Sequence, residues 1–398
     1  MSVPMRFDRL EMAGALGDIG TLLPIAVAMV LVNGMNPLGL FFTVGLFFIA
    51  SGLFFRVTVP VQPMKVIGAY AIATSMTGSQ VMASTLLMGV FLMLIALTGA
   101  IDQIKKYTPH AVIRGVQLST GALLIAGGIR FIIGTSAFQQ LHHSAEPYLA
   151  VQSLGPLPIG IVIGIAGSLV TLLLLENRKY PAGLVMVIGG MIAGFLLGAR
   201  PGLTGAVGLH LPQFLPVEPP GRVDFTFALF ALVLPQLPMT LGNAVLAYTD
   251  LSGNYFGEQS ARVTNRNVCL SMALANFFSF CLGGMPLCHG AGGLAAHYRF
   301  GARTAGSNLI IGSIFLLLSL LLGEHIIGVF RLLPLAILGI LLVFAGSQLT
   351  LTIMDLEGRK EYFVATVILG ITLATSLAIG FTAGLLVAWL LRWEKLSV

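Results

Sequence analysis

The chain has 398 residues, of which 57% are hydrophobic and only 9% charged, and its mean hydropathy is +0.95. Soluble domains carry about a quarter charged residues, so this composition excludes a water-soluble fold and points to the bilayer as solvent. The formal net charge of +6 fits the basic cytoplasmic loops of a membrane protein and gives no sign of a nucleic-acid partner.

In chain order the apolar runs fall near residues 13–32, 37–55, 60–77, 80–101, 111–134, 157–175, 181–198, 224–248, 266–282, 286–299, 304–323, 326–348, 361–378 and 380–392. They are apolar on every face and rich in Leu, Ile, Ala and Gly, whereas barrel strands alternate polar with apolar residues. The expected fold is an all-α integral membrane protein of about 14 spans. The first run holds an acid and lacks a small-residue cleavage site, so it reads as a retained span and not a signal peptide. With this count, Lys and Arg cluster on the side of the N-terminus, from Arg6 and Arg56 through Lys105, Lys106, Arg178 and Lys179 to Arg359, Lys360 and Lys395. Only Arg130, Arg200, Arg222 and Arg331 fall opposite, and Lys65 lies inside a span. By the positive-inside rule both termini are cytoplasmic, in a multi-pass cell membrane protein.

A weak repeat follows. Gly17-Asp18-Ile19-Gly20-Thr21 is followed one span later by Pro60-Val61-Gln62-Pro63-Met64-Lys65. In the second half, a span with Pro235-Gln236-Leu237-Pro238-Met239-Thr240 and Asn243 is followed one span later by Gly283-Gly284-Met285-Pro286-Leu287-Cys288-His289-Gly290. Seven spans per half is an odd number, so the halves form a 7+7 inverted repeat, and interrupted segments in corresponding positions mark a transporter site.

Proline fits the first turn of a helix and holds the residue before it extended. The third run is therefore expected to pass extended to mid-membrane and then form a half-helix from about Pro63. The tenth is expected to mirror it, with a half-helix from about Pro286 to Tyr298. Two helix N-termini meeting at mid-membrane would present free N–H groups and partial positive charge, which suits an anion. Lys65 and His289 are expected in the two first turns.

Asp18 is an acid well inside a span, where ionisable groups are costly and functional; it can pair with Lys65, bind a coupling cation or carry a coupling proton. Thr21, Gln62, Gln236, Thr240 and Asn243 offer neutral hydrogen-bonding groups to oxyanion oxygens, and Pro63 and Gly290, at the starts of the two half-helices, are expected in the same substrate-binding set. Cys269, Cys281 and Cys288 form no Cys-x-x-Cys pair and no disulfide framework. The sequence carries no metal-ligand, phosphate-loop or nucleophile motif, so no cofactor, metal or enzyme chemistry is expected.

At Gly17–Thr21, Pro60–Lys65 and Met285-Pro286-Leu287-Cys288-His289-Gly290-Ala291-Gly292-Gly293 the sequence resembles the plant and microbial molybdate transporters, relatives of the SulP sulfate permeases. The resemblance implies the fold shared with uracil permeases, in which residues 1–110 and 224–323 form a core domain and residues 111–200 and 324–398 a gate domain. It further implies homodimers, elevator-like alternating access, and no STAS domain of the kind that follows the membrane part of SulP permeases. The expected function is secondary active transport of a tetrahedral oxyanion, molybdate or sulfate, coupled to protons through Asp18. The alternatives are a carrier of nucleobase or carboxylate substrates on the same fold, or an anion channel. Gln236, Asn243 and His289 stand where a nucleobase carrier is expected to have acids, which favours the oxyanion.

Overall fold

A computed structural model describes residues 4–101, 109–175, 177, 180–202, 207–216 and 218–393. Lys105, Lys106, Arg178, Lys179 and Lys395, used above for orientation, lie outside the described residues.

The first span is broken. Helix α1 (Arg9–Ala15) starts where the Asp8 side chain accepts the N–H groups of Leu10 and Glu11, and α2 (Ile19–Asn33) follows at an angle of 42°. Asp18 sits at the junction, at the N-cap of α2 but without a capping hydrogen bond of its own to the helix. Helix α3 (Pro37–Phe55) begins with Asn36 as N-cap and Pro37 in the first turn, which is the position proline tolerates. It ends on Arg56 in the left-handed region, φ +65°, and the chain then runs extended to strand β1 (Gln62–Pro63) and the short helix α4 (Lys65–Ala73).

Helix α5 (Gly78–Thr98) opens on a Thr77–Gln80 capping box. Helices α6 (His110–Ile133) and α7 (Ala137–Leu141) lead to a small hairpin, β2 (Ser153–Leu154) with β3 (Leu157–Pro158), and to α8 (Ile159–Leu174) and α9 (Ala182–Leu196). Glu146, in the segment before the hairpin, reaches across to accept the N–H groups of Leu335 and Ala336, both at 2.8 Å. Those are the first residues of a later helix, so a carboxylate there satisfies orphan donors and meets the positive end of the helix dipole.

The second half opens on one long helical run, α10 (Arg222–Ser260). It is interrupted by π-helical stretches at Leu229–Val233 and Thr240–Ala247. Helix α11 (Asn265–Cys281), strand β4 (Leu287–Cys288) and the short helix α12 (Ala291–Arg299) follow. The chain closes with α13 (Gly306–Leu322), α14 (Ile326–Phe330), α15 (Leu335–Thr350), α16 (Arg359–Ala374) and α17 (Leu377–Leu390).

Among the described residues six helical runs are long and apolar enough to cross a membrane, or seven when α1 and α2 count as one bent span. Helices also lie over the other expected runs, but they are shorter. Their outward faces are apolar, with Leu173 82% and Leu196 76% exposed. Lipid is the solvent that suits such a surface, and the chain is a multi-pass membrane protein.

Glycines set the closest helix contacts. A Cβ on Gly128 or on Gly339 would lie 2.4 Å from the other residue's carbonyl oxygen, and Gly121 and Gly346 meet in the same way one step along the α6–α15 pair. In a membrane, small residues replace the hydrophobic effect by letting backbones approach for dispersion contact. Helices α3 and α13 meet likewise at Gly45 and Gly312.

Candidate anion site at the crossing of two broken segments

Strands β1 and β4 pair antiparallel, with Gln62 opposite Cys288 and Pro63 opposite Leu287. The N–H of Met64 adds a 2.9 Å bond to the carbonyl of Pro286. Two residues from each segment cannot satisfy all the extended backbone buried around them, and every such group must be paired inside the protein. Two buried asparagines complete the pairing. Asn308 on α13 bonds both the N–H and the carbonyl of Val59, and Asn276 on α11 does the same for Leu287. The crossing is thereby clamped from both sides, and α4 and α12 begin next to it.

The first three N–H groups of α12 have no helical partner, and its N-cap, Gly290, has no side chain to cap them. Around this end the structure gathers Asp18, Gln62, Asn243, Gly290 and Gly293. Gln62 Nε2 donates to Asp18 Oδ2 at 2.5 Å. A Cβ at Gly290 would lie 2.4 Å from Gln62 Oε1 and 3.5 Å from Asn243 Nδ2. One at Gly293 would lie 2.6 Å from Asp18 Oδ2, 2.7 Å from Gln62 Nε2 and 2.7 Å from Pro60 Cβ. Only glycine lets the backbone come this close to the polar cluster. Thr21 and Lys65 are further polar neighbours of Asp18, and the Lys65 side chain is only half-buried at the start of α4.

Other expected residues take different places. Gln236 Oε1 accepts the N–H groups of Val66 and Ile67 at 2.9 and 3.2 Å, while its Nε2 donates to Thr240 Oγ1 at 2.8 Å. Gln236 thus caps α4, with Thr240 holding it, and the expected free N–H groups at that helix end are partly used. The second half-helix starts at Ala291, five residues after the expected Pro286, because Pro286–Cys288 is spent on pairing with the first segment. His289 therefore precedes the helix. Its Nδ1 lies 2.9 Å from the Pro60 carbonyl and its Nε2 3.1 Å from Ser271 Oγ, and it packs against the rings of Phe47 and Tyr248. With both nitrogens engaged, His289 staples the two broken segments together. Pro63 contributes its place in β1.

Residues not singled out from sequence also converge here. Asn276 and Asn308 are fully buried, and the available signal was an amide interrupting an apolar run. On α12, His297 is again fully buried, with Nδ1 beside Thr58 Oγ1, which in turn accepts from Ser307 Oγ. Among the described residues no cluster of His, Cys, Asp or Glu has the makings of a metal site.

Backbone N–H groups at a buried helix end, a lysine and neutral amides suit a compact anion, and two interrupted segments crossing among apolar helices are an architecture found in membrane transporters. The structure resembles the transmembrane domain of a cyanobacterial bicarbonate transporter, BicA, with a TM-score of 0.65, 15% identity, and coverage of 97% of this chain and 98% of that one. It also resembles murine Slc26a9, an anion transporter in the inward-facing state, with a TM-score of 0.65 and 14% identity over 98% of this chain and 69% of that one. In sequence it is 28% identical to Molybdate transporter 2 of Arabidopsis thaliana, over 97% of this chain and 88% of the relative. The profile described as "Molybdate transporter of MFS superfamily" matches residues 10–124 and 228–349, and the chain belongs to that family of transporters. That description names the MFS superfamily, whereas the fold is that of BicA and Slc26a9.

Proposed function

We propose that the protein is a secondary active transporter of a tetrahedral oxyanion, molybdate in the first place and sulfate as its competitor, coupled to protons through Asp18. One observation carries the reading: the uncapped N-terminus of α12 meets Gln62 and Asp18 beside the β1–β4 crossing, and Lys65 is an electrostatic neighbour of Asp18. A dianion placed there meets N–H donors and the helix dipole, with Lys65 as a counter-charge. The family description and the Arabidopsis relative support molybdate among the oxyanions.

Asp18 opposes the anion unless it is protonated, so proton and anion binding favour each other. Thr21 and Asn243 complete the shell, Gly290 leaves space for it, and Gln236, Thr240, Pro63 and His289 hold its frame.

The packing supports a 7+7 inverted repeat of 14 spans with cytoplasmic termini. Helix α3 pairs with α13 and α5 with α11, and a seven-span offset with inversion exchanges these two pairs. Helix α6 pairs with α15, and β1 with β4, which the same operation maps onto themselves. On this reading residues 1–110 and 224–323 are the core, and residues 111–200 and 324–398 are the gate. The core slides as an elevator past the gate of each protomer in a homodimer. Gly20 on α2 and Gly183 on α9 touch backbone to backbone across the two parts, a smooth contact suited to sliding.

The test is uptake of labelled molybdate by liposomes containing the purified protein. Saturable uptake that an inward proton gradient accelerates is expected. Saturable uptake indifferent to the gradient refutes the coupling, and flux that never saturates indicates a channel.

A further inference from the structure

His297 lies four residues after Gly293 on α12, hence on the same helix face, and that face packs over Asp18 at Gly293. The imidazole is fully buried. Its Nδ1 is 2.8 Å from Thr58 Oγ1, to which Ser307 Oγ donates at 2.7 Å. Its Nε2 has no hydrogen-bond partner among the described residues.

His297 and Asp18 both line one small cavity of about 10 Å³, otherwise walled by apolar side chains such as Ala15, Leu22 and Phe48. That is space for about one water. A water there would have the two polar partners it needs.

Among the other ionisable groups nearby, the Cys288 thiol lies 3.6 Å from the Pro63 carbonyl and the Arg303 guanidinium donates to the carbonyls of Tyr298 and Ala302. Glu11 on α1 accepts the N–H groups of Arg303 and Thr304, and Arg6 pairs with it. His289 is held by Pro60 and Ser271, Tyr248 on α10 stacks on His289, and Asp250 on α10 is exposed. Lys65 neighbours Asp18 but does not line the cavity. Ser307 and Asn308 on α13 are neutral.

We propose that Asp18, one water and His297 form a single proton-binding site, and that release of the anion moves the coupling proton from Asp18 to His297. The inference rests on the reading of Asp18 as the coupling acid. The O–H bond of the protonated carboxyl breaks and its proton passes to the water. The water gives one of its own protons to the lone pair on His297 Nε2. A carboxylate and an imidazolium result, the water is regenerated, and the imidazolium donates its Nδ1–H to Thr58 Oγ1.

The dipole of α12 favours this charge-separated state. Asp18 sits by its first turn, where negative charge is stabilised, and His297 lies in its last turn, where positive charge is stabilised. An oxyanion at the same N-terminus removes that preference and returns the proton to Asp18. On the proposed topology α12 runs inward, so the proton moves toward the cytoplasm.

The experiment reconstitutes the full chain in liposomes and compares two readouts, uptake of labelled molybdate driven by a proton gradient and molybdate–molybdate exchange without one. For His297→Gln, and for Thr58→Val, which removes the acceptor of the Nδ1–H while keeping its shape, exchange should persist. Gradient-driven uptake should fall by about tenfold and lose its pH profile. The relay is refuted if a folded His297→Gln, or Thr58→Val should His297→Gln fail to fold, keeps the wild-type ratio of the two readouts while Asp18→Asn loses it. If Asp18→Asn also keeps that ratio, the coupling role of Asp18 fails first and the relay with it.

Discussion

A single methyl group placed on α12 distinguishes the proposed site from its surroundings. In Gly293→Ala the new Cβ meets Asp18 Oδ2, Gln62 Nε2 and Pro60 Cβ at 2.6–2.7 Å. The two polar side chains can part, but the proline ring is fixed to the extended backbone and cannot yield. In Gly292→Ala the new Cβ finds nothing within 4 Å. Both substitutions gain the same helix propensity, so their difference isolates the contact. Overpacking of this kind costs about 1–3 kcal/mol. If that cost falls on the geometry that receives the anion, Gly293→Ala weakens binding by about 5- to 150-fold at 1.4 kcal/mol per decade, and Gly292→Ala by less than about threefold. Calorimetric titration of molybdate into each purified variant, with a melting temperature for each, reads both effects. Equal affinities in two folded variants would show that the Asp18–Gln62 contact over Gly293 lies outside the site.

Three further outcomes follow from the same geometry. Asp18→Asn, which mimics the protonated acid, should bind molybdate at least as tightly as the native chain yet lose acceleration by a proton gradient in liposome uptake. Burial pushes the Glu146 carboxyl up to about 7 from its ordinary 4.5, against the pull of the Ala336 and Leu335 N–H groups. A raised value means that the stability this group contributes is complete below about pH 4.5 and is lost as pH rises through about 7. The melting temperature should therefore be higher at pH 5 than at pH 8, by a free energy of up to about 3 kcal/mol, and Glu146→Gln should flatten the difference; an unchanged slope in that variant would contradict it. Cysteines introduced at Ser144 and Asn177 should react with an impermeant reagent from opposite sides of the membrane, and reaction from one side would break the span count.

The interrupted segments were legible because Pro60 and Pro63, and Gly283, Gly284 and Pro286, are grouped within a few residues, where helix is disfavoured several times over, whereas the isolated Pro24 is carried inside α2. Their pairing with each other was not. A two-residue ladder between segments more than two hundred residues apart leaves no local pattern, and that ladder shifts the start of α12 past His289. The capping role of Gln236 was hidden for the same reason, since an amide that can bind an anion can equally bind the N–H groups of Val66 and Ile67. Asp18, Gln62 and Lys65 stood out as polar groups in apolar runs, and they do cluster. Asn276, Asn308 and His297 carried the same signal, but they lie away from the Pro and Gly interruptions and so drew no attention. The π-helical stretches of α10 depend on how the helix packs, which composition does not encode.

The central claim is that an oxyanion sits where the α12 N-terminus opens beside Asp18 and Lys65. Titrating molybdate into purified native protein and into Lys65→Ala, with sulfate as competitor, tests it most directly. Native protein should bind saturably and release molybdate to excess sulfate, while Lys65→Ala, folded by its melting temperature, should lose about 2 kcal/mol or more of affinity, at least roughly 30-fold. Saturable binding with unchanged affinity in Lys65→Ala, or no binding of molybdate by the native chain, would contradict the account.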